Sequence, residues 1–198
     1  MTGRTIIYNA RLLDPASGLD QNGGILIENG LITDIGVSIT KTTAADVKID
    51  AKGKALAPGL IDLRVKTGEP GAENKETLET AGDAAAAGGV TTFIVMPDTD
   101  PVLDSVALVD FIKRRADSVA KVKVLPTGGL TIGLDGAKMS EIGLIKQAGA
   151  AFFTNGDKPV EDAGVLRRAM SYAASFDVLV ASRPDTPALR RSGASNQG

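Results

Sequence analysis

The sequence predicts an α/β fold: a partial TIM-type (β/α) barrel of about five βα strands, preceded by part of a small β-sandwich. Three observations predict it. Residues 1–57 hold short β-rich runs separated by turn residues and show no helical period. From Pro58 onward, β-branched runs alternate with amphipathic stretches, the pattern of a parallel sheet with helices outside it. A closed barrel of this type takes eight strands and typically ~250 residues, so 198 residues place the last strand short of closure. The expected division is 1–57, an N-terminal β-sandwich segment, and 58–198, an incomplete (β/α) barrel.

Each element has its own signal. Thr5 to Asn9 is a short β run. Gly24 to Gly30 is a second, closing on Asn29-Gly30, and Leu31 to Val37 returns from it, which makes a hairpin. Val47 to Leu56 adds a strand and a turn. Leu60 to Val65 opens the alternating region. Glu76 to Ala87 reads as a helix stopped by Gly88-Gly89. Val90 to Met96 is a β-branched strand that Pro97 ends. Val106 to Asp117 is a helix with Leu108, Val109, Ile112 and Ala116 on one stripe and Asp104 as its cap. Lys121 to Pro126 is strand, Glu141 to Ala148 a short helix and Ala150 to Thr154 strand, followed by an Asn155-Gly156-Asp157 turn. Asp162 to Ser175 is a helix with Val165, Leu166, Ala169, Met170 and Ala173 facing inward, and Phe176 to Ala181 is strand. Ser182 to Gly198 is polar and loop-like.

Composition removes several function classes. Lys and Arg number 22 against 24 Asp and Glu, so no basic surface for nucleic acid is expected. No run approaches the ~20 apolar residues of a membrane span, and the N-terminus lacks a signal-peptide core. There is no cysteine, hence no disulfide or thiolate metal site, and a cytoplasmic location is the expectation. Aromatic residues are 4%, so the core is built from aliphatic side chains and Ala.

The order of motifs carries a resemblance. Pro58-Gly59-Leu60-Ile61-Asp62 is followed by Glu69-Pro70-Gly71 with Lys75-Glu76-Thr77. Ala84 to Thr92 and then Met96-Pro97-Asp98-Thr99 come next. Pro159-Val160, Leu166-Arg167-Arg168-Ala169, Tyr172-Ala173 and Asp185-Thr186-Pro187-Ala188-Leu189 continue it. This series closely resembles the dihydroorotases, amidohydrolase-superfamily barrels with a small β-sandwich built from both chain ends. The resemblance implies hydrolysis of a cyclic amide at a binuclear zinc site, within pyrimidine biosynthesis.

At the positions that carry that chemistry the chain departs from the family, and it contains no histidine at all. The family's His-x-His falls on Arg64 and Lys66, which strand alternation puts on one face at the C-terminal mouth. Arginine has no acceptor and stays protonated, and Lys66 could donate a lone pair only if deprotonated. The family's substrate arginine falls on Gly68, and the asparagine of its Met-Pro-Asn-Thr on Asp98, which would repel an anionic substrate. The metal carboxylate after the fourth strand meets Thr154 and Asn155, and a further histidine meets Arg183. The late histidine and catalytic aspartate of the family fall beyond Gly198. The expectation is therefore no zinc, no catalytic residue and a degenerate dihydroorotase-like chain. Chains of that type serve as structural partners of aspartate transcarbamoylase, which makes that enzyme, or self-association, the expected partner. The alternatives are family-level dihydroorotase activity, or a truncated product whose open sheet edge gives it no independent role.

Arg64, Lys66 and Arg183 have two readings on residues alone: a cationic pocket for an anion, or rim charges paired with Asp62, Glu69 or Asp185. Asp98-Thr99-Asp100 has two as well, oxygen ligands for a hard cation or turn chemistry after Pro97. Gly128 to Gly133 lacks the Gly-Lys-Ser/Thr of a phosphate loop and reads as a loop crossing the barrel top.

Overall fold

A computed structural model of the chain describes residues 3–185. It separates into two compact units, Met1–Gly59 and Leu60–Gly198.

The first unit is one five-stranded sheet built around its first strand. β1 (Arg4–Asp14) pairs antiparallel with β2 (Leu19–Glu28), which pairs antiparallel with β3 (Leu31–Gly36). The β2–β3 turn holds Asn29 at φ 52° and Gly30 at φ 80°, the two left-handed residues a tight hairpin turn requires. On its other side β1 pairs parallel with β4 (Val47–Asp50) and β5 (Ala55–Leu56). Among the described residues the N-terminal segment is thus a single sheet of mixed antiparallel and parallel pairing. The long segment after β3 carries the chain back, so that β4 enters in the same direction as β1. Ile6, Leu26 and Ile39 form one small core, and Ala10, Leu12 and Ile25 another.

The second unit alternates strand and helix. Its elements are β6 (Leu60–Val65), α1 (Leu78–Ala87), β7 (Val90–Val95), α2 (Val106–Val119), β8 (Lys123–Pro126), β9 (Gly128–Gly129), α3 (Ile142–Ala148), β10 (Phe153–Thr154), α4 (Ala163–Ala174) and β11 (Val180–Ala181). Every strand pair is parallel, in the orders β6-β7-β8 and β9-β10-β11. Thr127 joins the two runs. Its N–H donates to the Val95 carbonyl at 3.0 Å, and on either side of it Gly128 N–H reaches Phe152 O and Pro126 O accepts from Ala151. Five parallel strand positions follow one another, with β8 and β9 as one interrupted strand, and the described strands do not close into a barrel.

Helix ends follow local chemistry. Thr77 accepts from Thr80 N–H while the Thr80 hydroxyl accepts from Thr77 N–H, a reciprocal cap on α1. Asp162 caps α4 through the N–H groups of Gly164 and Val165. Asp104 does not cap α2. Ser105 holds that position, and the Asp104 carboxylate accepts instead from Gly133 N–H at 2.8 Å. Gly128 and Gly129 are strand residues rather than loop, and a Cβ on Gly128 would run into the Phe153 ring. Met170, expected to face inward, is 51% exposed. Two cores flank the sheet, one around Leu78, Phe93, Leu103 and Ile112, the other around Val109, Ile142, Ile145, Phe153 and Ala169. Among the described residues no helix is long and apolar enough to cross a membrane.

Candidate functional site at the strand ends

The candidate site lies where parallel strands end. Arg64 is the fifth residue of β6 and Lys66 follows it. Asp98 lies just past β7, Asp157 just past β10 and Arg183 just past β11. Parallel βα units place the side chains of successive strand ends around one mouth, which is where barrel enzymes carry their chemistry.

Asp157 is the hub of that mouth. Its two carboxylate oxygens accept from Arg64 Nη2 and Lys66 Nζ, and Arg183 Nη1 stands 3.9 Å away. Lys66 also pairs with Asp98 at 2.6 Å, and Arg183 Nε with Asp185 at 3.5 Å. Three cations therefore meet three carboxylates. The pairing reading holds: Asp185 is one of the expected partners, while Asp157 and Asp98 stand in place of Asp62 and Glu69. Among the described residues Asp62 accepts from the backbone N–H of Arg64, at 2.9 Å. Glu69 is buried and serves elsewhere, accepting from Arg115 Nε at 2.6 Å and from Leu78 N–H at 2.9 Å.

The cluster biases its own protonation. Hydrogen bonds from Lys66 to Asp157 and then Asp98 hold the ammonium above the usual lysine range. The same Lys66 bond, aided by the charges of Lys66, Arg64 and Arg183, holds Asp157 below the usual carboxylate range. Both shifts favour the fully charged state at neutral pH.

Thr154 and Asn155 both hydrogen-bond to loop groups. Asn155 is buried; its Oδ1 accepts from Thr131 N–H at 3.0 Å and its Nδ2 donates to the Thr131 hydroxyl at 2.7 Å. That hydroxyl in turn accepts from Gly136 N–H. The Thr154 hydroxyl accepts from Gly156 N–H at 3.1 Å. Both side chains are spent on holding loop backbone. Gly68 is equally committed, because a Cβ there would collide with the carbonyls of Ala72 and Glu76.

Zinc requires lone-pair donors at about 2 Å in tetrahedral array. Here the converging groups are two guanidiniums and an ammonium, with Asp157 and Asp98 already neutralised by them. Among the described residues no three His, Cys, Asp or Glu side chains are grouped so as to hold a metal ion. This donor set does not fit zinc. Asp98 bonds Lys66 while the Thr99 hydroxyl donates to Pro101 O, so the Asp98-Thr99-Asp100 stretch has the contacts of a turn.

Beside the cluster lies an open cavity of about 610 Å³, with Leu63, Met96, Phe152 and Leu179 on its apolar wall and Arg64, Asp157 and Arg183 on its rim. Sequence reasoning missed Asp157 as a site residue. The available signal was Gly156, whose φ of 63° turns the chain so that the carboxylate meets the end of β6.

Comparison with known proteins agrees with this architecture. The chain is 41% identical over 195 residues to the dihydroorotase of Syntrophotalea carbinolica, a match covering 98% of this chain and 45% of that protein. The dihydroorotase of Syntrophobacter fumaroxidans is 41% identical over 196 residues, with the same two coverages. Among solved structures, the L-hydantoinase (dihydropyrimidinase) from Arthrobacter aurescens superposes with a TM-score of 0.80 at 26% identity, covering 93% of this chain and 41% of that one. A D-hydantoinase (dihydropyrimidinase) from Thermus sp. gives 0.72 at 23% identity, a likeness of fold. The five parallel strands thus form a partial, TIM-barrel-like α/β fragment of amidohydrolase type, and the chain spans less than half the length of the curated relatives it matches. The dihydro-orotase-like family model matches residues 53–198, and with the strand-end frame and these relatives it makes the chain a member of the dihydro-orotase-like family of amidohydrolases.

Proposed function

We propose that this chain is a non-catalytic dihydroorotase-like protein of pyrimidine biosynthesis, acting through its surface as a structural partner of aspartate transcarbamoylase. The observation that carries the proposal is the Asp157 cluster. Arg64 and Lys66 occupy the family's His-x-His positions as charged donors, and their charge is met by protein carboxylates. A hydrolytic zinc site lowers the pKa of bound water towards neutrality. Side chains that repel a divalent ion and offer it no lone pair supply neither that ion nor its hydroxide. The closed backbone at Gly68 and the carboxylate at Asp98 likewise offer an anionic substrate no handle.

The test has two readouts. Purified protein is expected to carry zinc at background level and to leave dihydroorotate unhydrolysed with or without added zinc. Tagged protein is expected to retain aspartate transcarbamoylase from a bacterial extract that contains it. Stoichiometric zinc with chelator-sensitive turnover overturns the non-catalytic reading, and an unbound transcarbamoylase overturns the partner reading. The second reading, family-level dihydroorotase activity, draws on the name its 41% identical relatives carry. The same turnover assay decides between the two.

A further inference from the structure

The chain carries three Asn-Gly steps, at Asn22-Gly23, Asn29-Gly30 and Asn155-Gly156. Such a step is chemically labile. The glycine backbone nitrogen can attack the asparagine Cγ, and glycine, lacking a Cβ, leaves that approach open. The fold treats the three steps differently. Asn155 is buried, and both ends of its amide are held by Thr131. Its nucleophile is held too, since Gly156 N–H donates to the Thr154 hydroxyl at 3.1 Å. Asn22 lies inside β2, paired with Arg11 of β1. The following Gly23 is packed so closely that a Cβ there would stand 2.6 Å from the Gly36 carbonyl. Neither backbone brings N and Cγ together without first opening its strand or loop. Asn29-Gly30 is unlike both. It is the whole of the turn between Glu28 and Leu31, the last facing pair of β2 and β3. Both residues are exposed, and the place of a Cβ on Gly30 is open space. Among the described residues the Asn29 side chain makes no hydrogen bond and Gly30 N–H meets no acceptor.

We propose that Asn29 is a site of spontaneous deamidation, and that its β-linked product releases the edge strand β3. Gly30 N gives its proton to hydroxide and bonds to Asn29 Cγ. The Cγ–Nδ2 bond breaks, ammonia leaves, and a succinimide ring remains. Water then adds at one of the ring carbonyls. Breaking the bond from Cγ to nitrogen gives aspartate on the original backbone. Breaking the bond from the main-chain carbonyl carbon to nitrogen gives isoaspartate, whose backbone runs through Cβ and Cγ. The two products differ in consequence. Aspartate tolerates the left-handed conformation that Asn29 holds at φ 52°, so the turn survives. Isoaspartate lengthens the backbone of a turn that has only two residues, and that turn sets the hairpin register. Among the described strands β3 pairs with β2 alone, so no second ladder holds it in place.

The inference is independent of the aspartate transcarbamoylase proposal. The experiment incubates the 198-residue chain in mildly alkaline buffer and follows each Asn-Gly step by peptide mass spectrometry. Isoaspartyl methyltransferase with a labelled methyl donor separates isoaspartate from aspartate. Asn29 is expected to convert first. Asn22 and Asn155 should convert at least about tenfold more slowly, the factor that about 1.4 kcal/mol of hydrogen bonding to be opened first supplies. In denaturant the three steps share one local chemistry, and their rates should converge. Aged protein should lose amide protection over Leu31–Gly36 and keep it over β1. Asn29→Gly keeps a pair suited to the turn and removes the reactive amide, so its β3 protection should last through the same incubation. The modification site is overturned if Asn29 stays intact, or if the three steps react at equal rates in the folded chain. Strand release is overturned if aspartate is the only product, if isoaspartate accumulates while β3 stays protected, or if Asn29→Gly loses protection equally.

Discussion

At the scale of single residues, the strand-end mouth is governed by one carboxylate. Asp157 faces Arg64, Lys66 and Arg183, and its replacement by Asn leaves three cations with Asp98 and Asp185 for compensation. These groups are about half exposed, so solvent screens them, and Asp157→Asn is expected to cost no more than about 1 kcal/mol, shrinking with added salt. The pH dependence has a definite sign. Asp157 has a lowered pKa in the folded state, so its contribution is present above the unfolded value of about 3.9 and lost as pH falls through the folded one. Lys66 has a raised pKa, so its contribution is present below about 10.4 and lost as pH rises through the folded value. Thermal melts of wild type and Asp157→Asn should therefore differ across the neutral range and converge below about pH 4. A difference that persists at the acid end would show that Asp157 acts by packing. Gly68 gives a second residue-scale test. A side chain there meets the backbone of Ala72 and Glu76, so Gly68→Ala is expected to destabilise by roughly 1–3 kcal/mol in denaturant titration. Arg64 and Lys66 were legible in the sequence because alternation along one strand fixes their side. Asp157 was not, because its partners lie 93 and 91 residues away and the meeting depends on a left-handed Gly156.

At the scale of elements, local chemistry sets the helix ends and long-range contacts set the strand ends. The caps at Thr77 and Asp162 start α1 and α4 at positions readable from sequence to within a residue or two. The strands expected over residues 150–154 and 176–181 shrink to Phe153–Thr154 and Val180–Ala181. The second shrinks because Phe176 is drawn against Gly143, where its ring occupies the space of an absent Cβ, and because Val178 N–H still bonds Ala173 O. An apolar run alone cannot tell that turn from a strand. The buried Glu69 links elements that sequence does not: it ties the loop after β6 to the start of α1 and to Arg115 on α2. Glu69→Ala leaves Leu78 N–H and Arg115 without that acceptor, and is expected to lower stability by about 2–3 kcal/mol. Glu69→Gln should restore part of the loss, since an amide oxygen can still accept from Leu78. Equal losses for both variants would mean that charge, not the acceptor, matters.

At the scale of the whole chain, protection from exchange should grade from the middle of the parallel sheet outward. β7 is paired on both sides and its last three residues, Phe93, Ile94 and Val95, are buried, Phe93 and Val95 beside Leu78, Leu103 and Ile112. β6 carries the same aliphatic chemistry, yet among the described residues it is exposed along its first five positions and pairs with β7 alone. Opening free energy follows buried contacts and two-sided pairing rather than residue type. In the isolated chain the amides of Phe93 to Val95 are therefore expected to exchange by global unfolding, and those of β6 and β11 by local opening at far lower free energy. The family frame was legible because its motifs are local, each seated at a strand end or a turn. The extent of the sheet was legible as a count of βα repeats. What no single stretch of sequence displays is which edge ends up bare, because a strand's burial is decided by neighbours that come from elsewhere in the chain or from another one. Native-state exchange measured across denaturant concentrations checks this gradient directly. Equal protection of β6 and β7 would mean that cover for β6 is already in place.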